Sequence, residues 1–317
     1  MWIYAAKRTA LIIPTLLGVV TLVFVLVRLA PGSPLEMMIP PGVTGPAQLE
    51  LIRRLNALYG FNRPLYVQYV DYLWQVVHLN FGLSLQTQLP VLPQLMLHFW
   101  ATVQLAVVAF ALSVVVGVPV GILSAVRRDT WLDSAVMVTS IGGISIPSFV
   151  LAYVLIYFLG VALNLLPPSG YGGPIWSGHA FLYVILPAFT LAAASAGIIA
   201  RFTRSSMLEI MQADHVRTAR AKGVAEWRVV NRHVLRNALI PILTIVGLQL
   251  GGLLGGVIIV ENVFGWPGVG QYIYNGVNNR DFPVVQASAI LIAAAFVVVN
   301  LFTDLTYAWV DPRIRYD

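Results

Sequence analysis

The sequence predicts an all-α integral membrane protein with six transmembrane helices. Hydrophobic residues make up 58% of its 317 residues, whereas charged residues make up only 10%. Uncharged apolar runs of about 18 or more residues, enough to cross a bilayer, recur along the whole chain. This recurrence excludes a lone signal peptide. The length of the runs argues against a membrane barrel, whose strands are short and alternate in polarity.

The spans are separated by charges and by helix breakers. Residues 134–200 contain no Asp, Glu, Lys or Arg, and this stretch is too long for one crossing, which needs about 20 residues. The Pro- and Gly-rich segment NLLPPSGYGGPIWSGH at 164–179 divides it. Pro147, Pro187 and Pro241 lie within spans and are expected to kink them. The six predicted spans are 10–27, 99–126, 134–162, 181–200, 237–260 and 282–303.

Basic residues predict the side of the membrane on which each loop lies, because short Lys- and Arg-rich loops stay in the cytoplasm. Fourteen of the 19 Lys and Arg residues precede span one, follow span six, or lie between spans two and three or four and five. Three of the other five lie in one long segment, where this rule is weak. Both termini are therefore expected to be cytoplasmic. The net charge of +6 reflects topology and anionic headgroups rather than nucleic-acid binding.

Residues 31–98 form a long segment on the outer side. TGPAQLELIRRLNALYG predicts a helix with Pro46 near its start and Gly60 at its end, and RPLYVQYVDYLWQVVHLN predicts a second helix that opens at Pro64. Two compatible roles remain open, a packed cap and a docking surface for an external partner. The aromatic residues suited to the membrane interface are Tyr66, Tyr69, Tyr72 and Trp74.

A basic segment, VRTARAKGVAEWRVVNRHVLRNALIP at 216–241, interrupts the apolar chain with six basic residues and one acid. Its pattern predicts a helix from Val216 to a stop at Gly223, and another from Ala225 to Ile240. Two interpretations remain open: a basic helix on anionic lipid, or two short helices docked into a soluble partner. One face of the second helix is predicted to carry Trp227, Val230, Val234 and Ala238, with Arg228, Arg232 and Arg236 beside it.

Span five carries glycines at intervals of four, which permit helix backbones to approach closely. One row is Gly247, Gly251 and Gly255, and the other is Gly252 and Gly256. These rows indicate ordinary helix packing, contact with a partner, or the lining of a pathway. The candidate pathway residues are Gln249, Gly251, Gly252 and Gly255.

No catalytic, nucleotide-binding or metal-binding motif is present in the sequence. There is no G-x-x-x-x-G-K-[ST] loop, and neither lysine, Lys7 or Lys222, precedes Ser or Thr. The five histidines lack ligand spacing, so we expect no metal site. Asp304, at the cytoplasmic end of the last span, indicates either proton coupling or a helix-packing or interfacial role, and the second is favoured. The alternative function is a self-sufficient secondary transporter or channel, but the interiors of spans two to four lack the ionisable groups that ion coupling needs.

The segment RTARAKG at 217–223 resembles the cytoplasmic loop signature of ATP-binding-cassette importer permeases, E-A-A followed by three residues and G. Ala219 matches the second Ala and Gly223 matches the Gly. Arg217, Thr218 and the late Pro241 resemble the dipeptide/oligopeptide branch instead of the general signature, and the short loop between spans three and four resembles its glutathione and oligopeptide members. Five further segments resemble the same branch, in the same order along the chain: residues 8–34, RPLYVQY at 63–69, ARFTRSSMLEIM at 200–211, ENVFGWPGVG at 261–270 and NLFTDLTYAWVDPRIRY at 300–316.

The resemblance implies a type I importer permease of the cytoplasmic (inner) membrane that carries small peptides and is not itself an enzyme. Its implied partners are a second permease, two cytoplasmic ATPases that hold ATP and Mg, an extracytoplasmic peptide-binding protein and the lipid bilayer. The implied regions are 1–30 (first transmembrane helix), 31–98 (extracytoplasmic segment), 99–307 (core transmembrane domain with coupling loop 201–240) and 308–317 (cytoplasmic tail). The implied ATPase-coupling residues are Arg217, Thr218, Ala219, Arg220, Ala221, Lys222, Gly223, Glu226 and Arg228. The implied binding-protein contacts are Glu261, Phe264 and Trp266.

Overall fold

The computed structural model describes residues 2–29, 44–59 and 62–310. Within these ranges the named elements are all helical, and one isolated β-bridge joins Leu83 to Pro90. The helices are α1 (Trp2–Leu29), α2 (Pro46–Tyr59), α3 (Leu65–Val77), α4 (Val91–Val126), α5 (Trp131–Ser145), α6 (Ser148–Leu155), α7 (Ala180–Met211), α8 (Asp214–Ala221), α9 (Glu226–Arg228), α10 (Arg236–Phe264), α11 (Val269–Asn278) and α12 (Phe282–Val310). A π-helix over Ile156–Ala162 continues α6, and another over Val229–Leu235 joins α9 to α10.

Five helical segments in the described ranges are long and apolar enough to cross a membrane, and one bent helix pair adds a sixth if it counts as one span. The all-α membrane fold predicted from the sequence is therefore confirmed. Most of the helices extend past the apolar runs, because polar residues at the ends continue the helical hydrogen bonding. The five straight spans are Thr9–Leu29, Val91–Val126, Ala180–Met211, Glu226–Leu253 and Phe282–Thr303.

The predicted third span, 134–162, is not a single straight helix. Helix α5 ends at Ser145 and α6 begins at Ser148, and the two meet at an angle of 106°. Ile146 is extended, with φ −77° and ψ 122°, because the ring of Pro147 disfavours the helical conformation in the residue before it. Pro147 also lacks an N–H to continue the helix. The kink predicted at Pro147 is confirmed.

The chain divides into two compact units by its internal contacts. The first unit comprises residues 1–5, 101–267 and 298–317, and its described part contains two buried hydrophobic clusters. One cluster is built around the wholly buried Phe264 and Trp266, and the other lies where α7, α8 and α10 meet. The second unit comprises 6–100 and 268–297 and has its own cluster around Val91 and Val284.

Candidate coupling segment and transport face

The basic segment between α7 and α10 folds as two helical pieces that meet at a turn. Helix α8 occupies Asp214–Ala221, and a helical run then continues without a break from Glu226 to Phe264. The predicted helix from Val216 to a stop at Gly223 is confirmed, with both ends displaced by two residues. The second predicted helix, Ala225 to Ile240, is not separate from span five, because α10 extends through the boundary between them.

A Schellman motif ends α8 at Gly223. The Gly223 N–H donates to the Arg220 carbonyl at 2.9 Å, and the Val224 N–H donates to the Ala219 carbonyl at 3.2 Å. These two bonds satisfy carbonyls that would otherwise be left open at the helix end. Gly223 has φ +74°, in the left-handed region that favours glycine, and a Cβ at this position would meet nothing within 4 Å. Within this chain the glycine is therefore required by backbone conformation and not by lack of space.

An ion pair bridges the two sides of this turn. The Arg220 guanidinium binds the Glu226 carboxylate through two hydrogen bonds, with Nε–Oε2 and Nη2–Oε1 distances of 3.1 and 2.6 Å. The Glu226 carboxylate raises the pKa of Arg220 above its ordinary value through these bonds. Both side chains are exposed, so the pair contributes at most about 1 kcal/mol to folding. Its two hydrogen bonds link the last turn of α8 to the first residue of α9 across the turn.

Helix α8 presents one face to the core of its own chain and the other to the outside. Val216 and Ala219 are buried in a cluster that includes Met207 of α7 and Val234 of the α9–α10 run. Of the nine residues expected to meet an ATPase, Ala219 thus packs inside this chain, because it stands three positions from Val216 on the inner face. The eight that are exposed are Arg217, Thr218, Arg220, Ala221, Lys222, Gly223, Glu226 and Arg228.

The predicted apolar face of the second helix is correct only in part. Val230, Val234 and Ala238 are buried, but Trp227 is 63% exposed. The Arg228 guanidinium lies 5.2 Å from the centre of the Trp227 ring. Residues 229–235 are wound as a π-helix, with bonds from i to i+5, so an α-helical period cannot be continued through them. The exposed indole therefore belongs to the outward surface of the segment, beside the basic side chains.

A buried ion pair that the sequence analysis missed holds α7 just before the coupling segment. Arg204 donates from Nε and Nη2 to the two Asp133 carboxylate oxygens at 2.6 and 2.7 Å, and the Ser124 hydroxyl donates to the same carboxylate. The Asp133 side chain is 6% exposed. The pair thus joins the ends of α4, α5 and α7. One signal was available: Asp133 immediately precedes the uncharged stretch 134–200, and Arg204 lies just beyond it.

The two glycine rows of span five differ in exposure, and the central glycine of the longer row is not the exposed one. Gly251 is buried, whereas Gly252 is exposed and a Cβ on it would meet nothing within 4 Å. Leu248 and Ile259 are exposed on the same helix. Gln249 is half-buried, and the surroundings of Gly255 lie outside the described part of the chain. Among the four candidate pathway residues, Gly252 is therefore the one on an open face.

The C-terminal end of α10 and the residues that follow it are packed into the interior of the first unit. Glu261, Phe264 and Trp266 are 0%, 1% and 0% exposed. The Thr102 hydroxyl donates to Glu261 Oε1 at 2.6 Å, and Trp266 Nε1 donates to the Ala101 carbonyl at 2.9 Å. The expected binding-protein contact through these three side chains needs an exposed surface, and the structure buries all three. Their contacts instead anchor the end of α10 to the start of the second span.

Comparison with known proteins identifies the family. Residues 117–316 match the family described as binding-protein-dependent transport system inner membrane component. The chain belongs to this family. The dipeptide transport system permease protein DppB of Alkalihalophilus pseudofirmus is 37% identical across 100% of both chains. The glutathione transport system permease protein GsiC is 41% identical in Salmonella choleraesuis and 40% in Escherichia coli K12, across 99% of each chain.

A solved structure shows the same fold. An inward-facing form of the MetNI methionine ABC transporter contains a chain that aligns with a TM-score of 0.57 and 21% identity, covering 69% of this chain and 96% of its own. The permease described here is thus a non-catalytic, multi-pass inner-membrane subunit of an ABC importer with the type I fold.

Proposed function

We propose that this permease carries small peptides, of dipeptide, oligopeptide or glutathione-like size, into the cytoplasm, driven by ATP hydrolysis on partner subunits. The observation that carries the proposal is the exposed basic surface held at the Gly223 turn, in a chain whose full-length relatives are dipeptide and glutathione permeases. The proposed complex contains a second permease, two ATPases that hold ATP and Mg, and an external binding protein. This chain supplies the pathway and binds neither nucleotide nor cofactor.

The exposed basic surface around Gly223, here called the coupling surface, suits a soluble partner with an acidic cleft. Arg217, Lys222 and Arg228 are exposed around the turn, and Trp227 adds an apolar anchor. Arginine and tryptophan are the side chains that most often dominate protein interfaces. We place the ATPase on this surface, and therefore the coupling segment and both termini in the cytoplasm, in agreement with the distribution of basic residues.

Movement of the ATPases reaches the membrane spans through direct packing. Val216 and Ala219 lie against α7 and the α9–α10 run, so a displacement of α8 acts on spans four and five together. The run from Glu226 to Phe264 has no break, so it moves the coupling surface and the open face of α10 as one helix. The ion pair between Arg204 and Asp133 extends the same movement to α5.

The test is ATP-dependent peptide import in proteoliposomes that contain the permease with its copurifying subunits and the external binding protein. The double variant Arg217→Glu/Lys222→Glu reverses two exposed charges that make no contact with the core. We expect it to insert normally, lose the copurifying ATPase and lose import. The matched control, Arg53→Glu on the exposed side of α2, should keep both. Import that persists without ATP and follows a proton gradient would refute the proposal in favour of a secondary transporter.

A further inference from the structure

Helix α3 packs against the last two turns of the first span. The Arg28 Nη2 donates to Gln68 Oε1 at 2.8 Å at one end of the contact. At the other end the Thr21 and Tyr69 hydroxyls are 2.6 Å apart, and the Tyr69 ring lies edge-on to Phe24 at 5.1 Å. The seven helical steps from Thr21 to Arg28 rise by about 10 Å along the helix axis. One turn of α3, from Gln68 to Tyr72, therefore contacts the side of the apolar span and not its end.

A second face of α3 is apolar and uncovered. Its large side chains are between 60% and 76% exposed, and they are Tyr66, Val70, Trp74 and Val77. Intervals of three and four residues place these four on one stripe. The stripe adjoins the face that packs on α1, so the apolar surface continues from one to the other. The polar residues Asp71 and Gln75 lie on the remaining side, and Asp71 forms an ion pair with Arg63 at 3.0 Å.

We propose that this stripe, Tyr66, Val70, Trp74 and Val77, is embedded in the outer leaflet of the membrane, so that α3 lies at the lipid interface as a brace for span one. The occupant is the boundary between headgroups and acyl chains. The proposal takes the side of the membrane from the proposed orientation, but contact with lipid does not depend on which leaflet is involved.

Continuity with a lipid-facing surface favours lipid as the occupant. Leu22, Leu26 and Leu29 are exposed on the same turns of α1 that α3 contacts, and α1 is a candidate span. An amphipathic helix at an interface buries its apolar face about 5–10 Å deep, and the contacts of α3 with α1 all lie within about 12 Å of the end of that span. Tyrosine and tryptophan are also the side chains enriched at membrane interfaces.

The chain has no cysteine, so a single cysteine can be labelled at each chosen site. Val70→Cys and Trp74→Cys report on the stripe. Gln75→Cys is the matched control, because it is exposed on the same helix but lies about 140° round from Val70. Each variant is labelled with a nitrobenzoxadiazole fluorophore in the assembled importer. The importer is then placed in nanodiscs of phosphatidylcholine and phosphatidylglycerol, with or without lipids spin-labelled near the top of the acyl chain.

We expect the labels at 70 and 74 to emit at shorter wavelength and to lose several-fold more fluorescence to the spin-labelled lipid than the label at 75. Aqueous iodide should quench in the opposite order. Equal iodide quenching at all three sites would mean that the stripe faces water and would overturn the proposal. Protection from both quenchers at 70 and 74 would mean that a protein covers the stripe, and would overturn it as well. Neither result bears on ATP-driven import, which is measured separately.

Discussion

Substitution of Gly223 separates two reasons for a glycine at the coupling turn. Backbone conformation is one reason, because Gly223 has φ +74°. Close approach of a partner is the other. Alanine is small but disfavours the left-handed conformation, whereas asparagine is larger but tolerates it. The pair Gly223→Ala and Gly223→Asn therefore changes size and conformational preference in opposite directions.

The magnitude follows from the surroundings of the residue. A Cβ at Gly223 meets nothing within 4 Å, so alanine adds no clash within the chain and its cost is conformational. That cost is about 1–2 kcal/mol for a residue with a Cβ in the left-handed region. It lowers the ratio of closed to opened turns by about 5–30-fold. Asparagine should cost less, since its short polar side chain is accepted in this region.

The assay is substrate-stimulated ATP hydrolysis by the reconstituted importer, together with recovery of the ATPase on the tagged permease. We expect activity in the order wild type, Gly223→Asn, Gly223→Ala. Far-ultraviolet circular dichroism of each variant checks that the permease remains folded. If asparagine is the more damaging substitution, the glycine provides space for the partner and the conformational reasoning is refuted. If both variants retain wild-type activity, the turn is not part of the coupling.

Three further substitutions test the buried contacts and the open face. Asp133→Asn leaves the Arg204 guanidinium facing a neutral amide, and should destabilise the purified permease by roughly 1–3 kcal/mol; an unchanged thermal midpoint in detergent would contradict this. Gly252→Leu should fold normally but abolish import or assembly, whereas Gly251→Leu should lower recovery of monodisperse permease; equal recovery of the two would show that the assignment of faces is wrong. Trp266→Phe keeps an aromatic ring but removes the indole donor from the Ala101 carbonyl, and should lower the free energy of unfolding by about 0.5–1.5 kcal/mol; an unfolding midpoint equal to that of the wild type would contradict this.

Local features of the sequence were sufficient for the helices, the breaks and the turn. The length of each uncharged run determines how many residues can cross a bilayer, so each predicted span overlaps a helix or the bent helix pair, although Val91, Met211 and Glu226 lie eight to eleven residues beyond the predicted ends. Pro147 predicted a kink because its ring and missing N–H act on adjacent residues. Gly223 predicted the end of α8 because a left-handed cap is a property of one residue and its neighbours. None of these features depends on distant parts of the chain.

Tertiary structure decided which side of each helix is covered. Gly251 and Gly252 are adjacent, but they point about 100° apart on an α-helix, and only the packing of α10 on other helices buries the first and exposes the second. A π-helical stretch leaves Trp227 outside although its spacing from Val230 suggested a shared face. The period of the sequence specifies which residues share a helix face, but packing against remote segments determines whether that face is buried. Asp133 and Arg204 meet for the same reason, because only the folded helices bring side chains 71 positions apart to 2.6 Å.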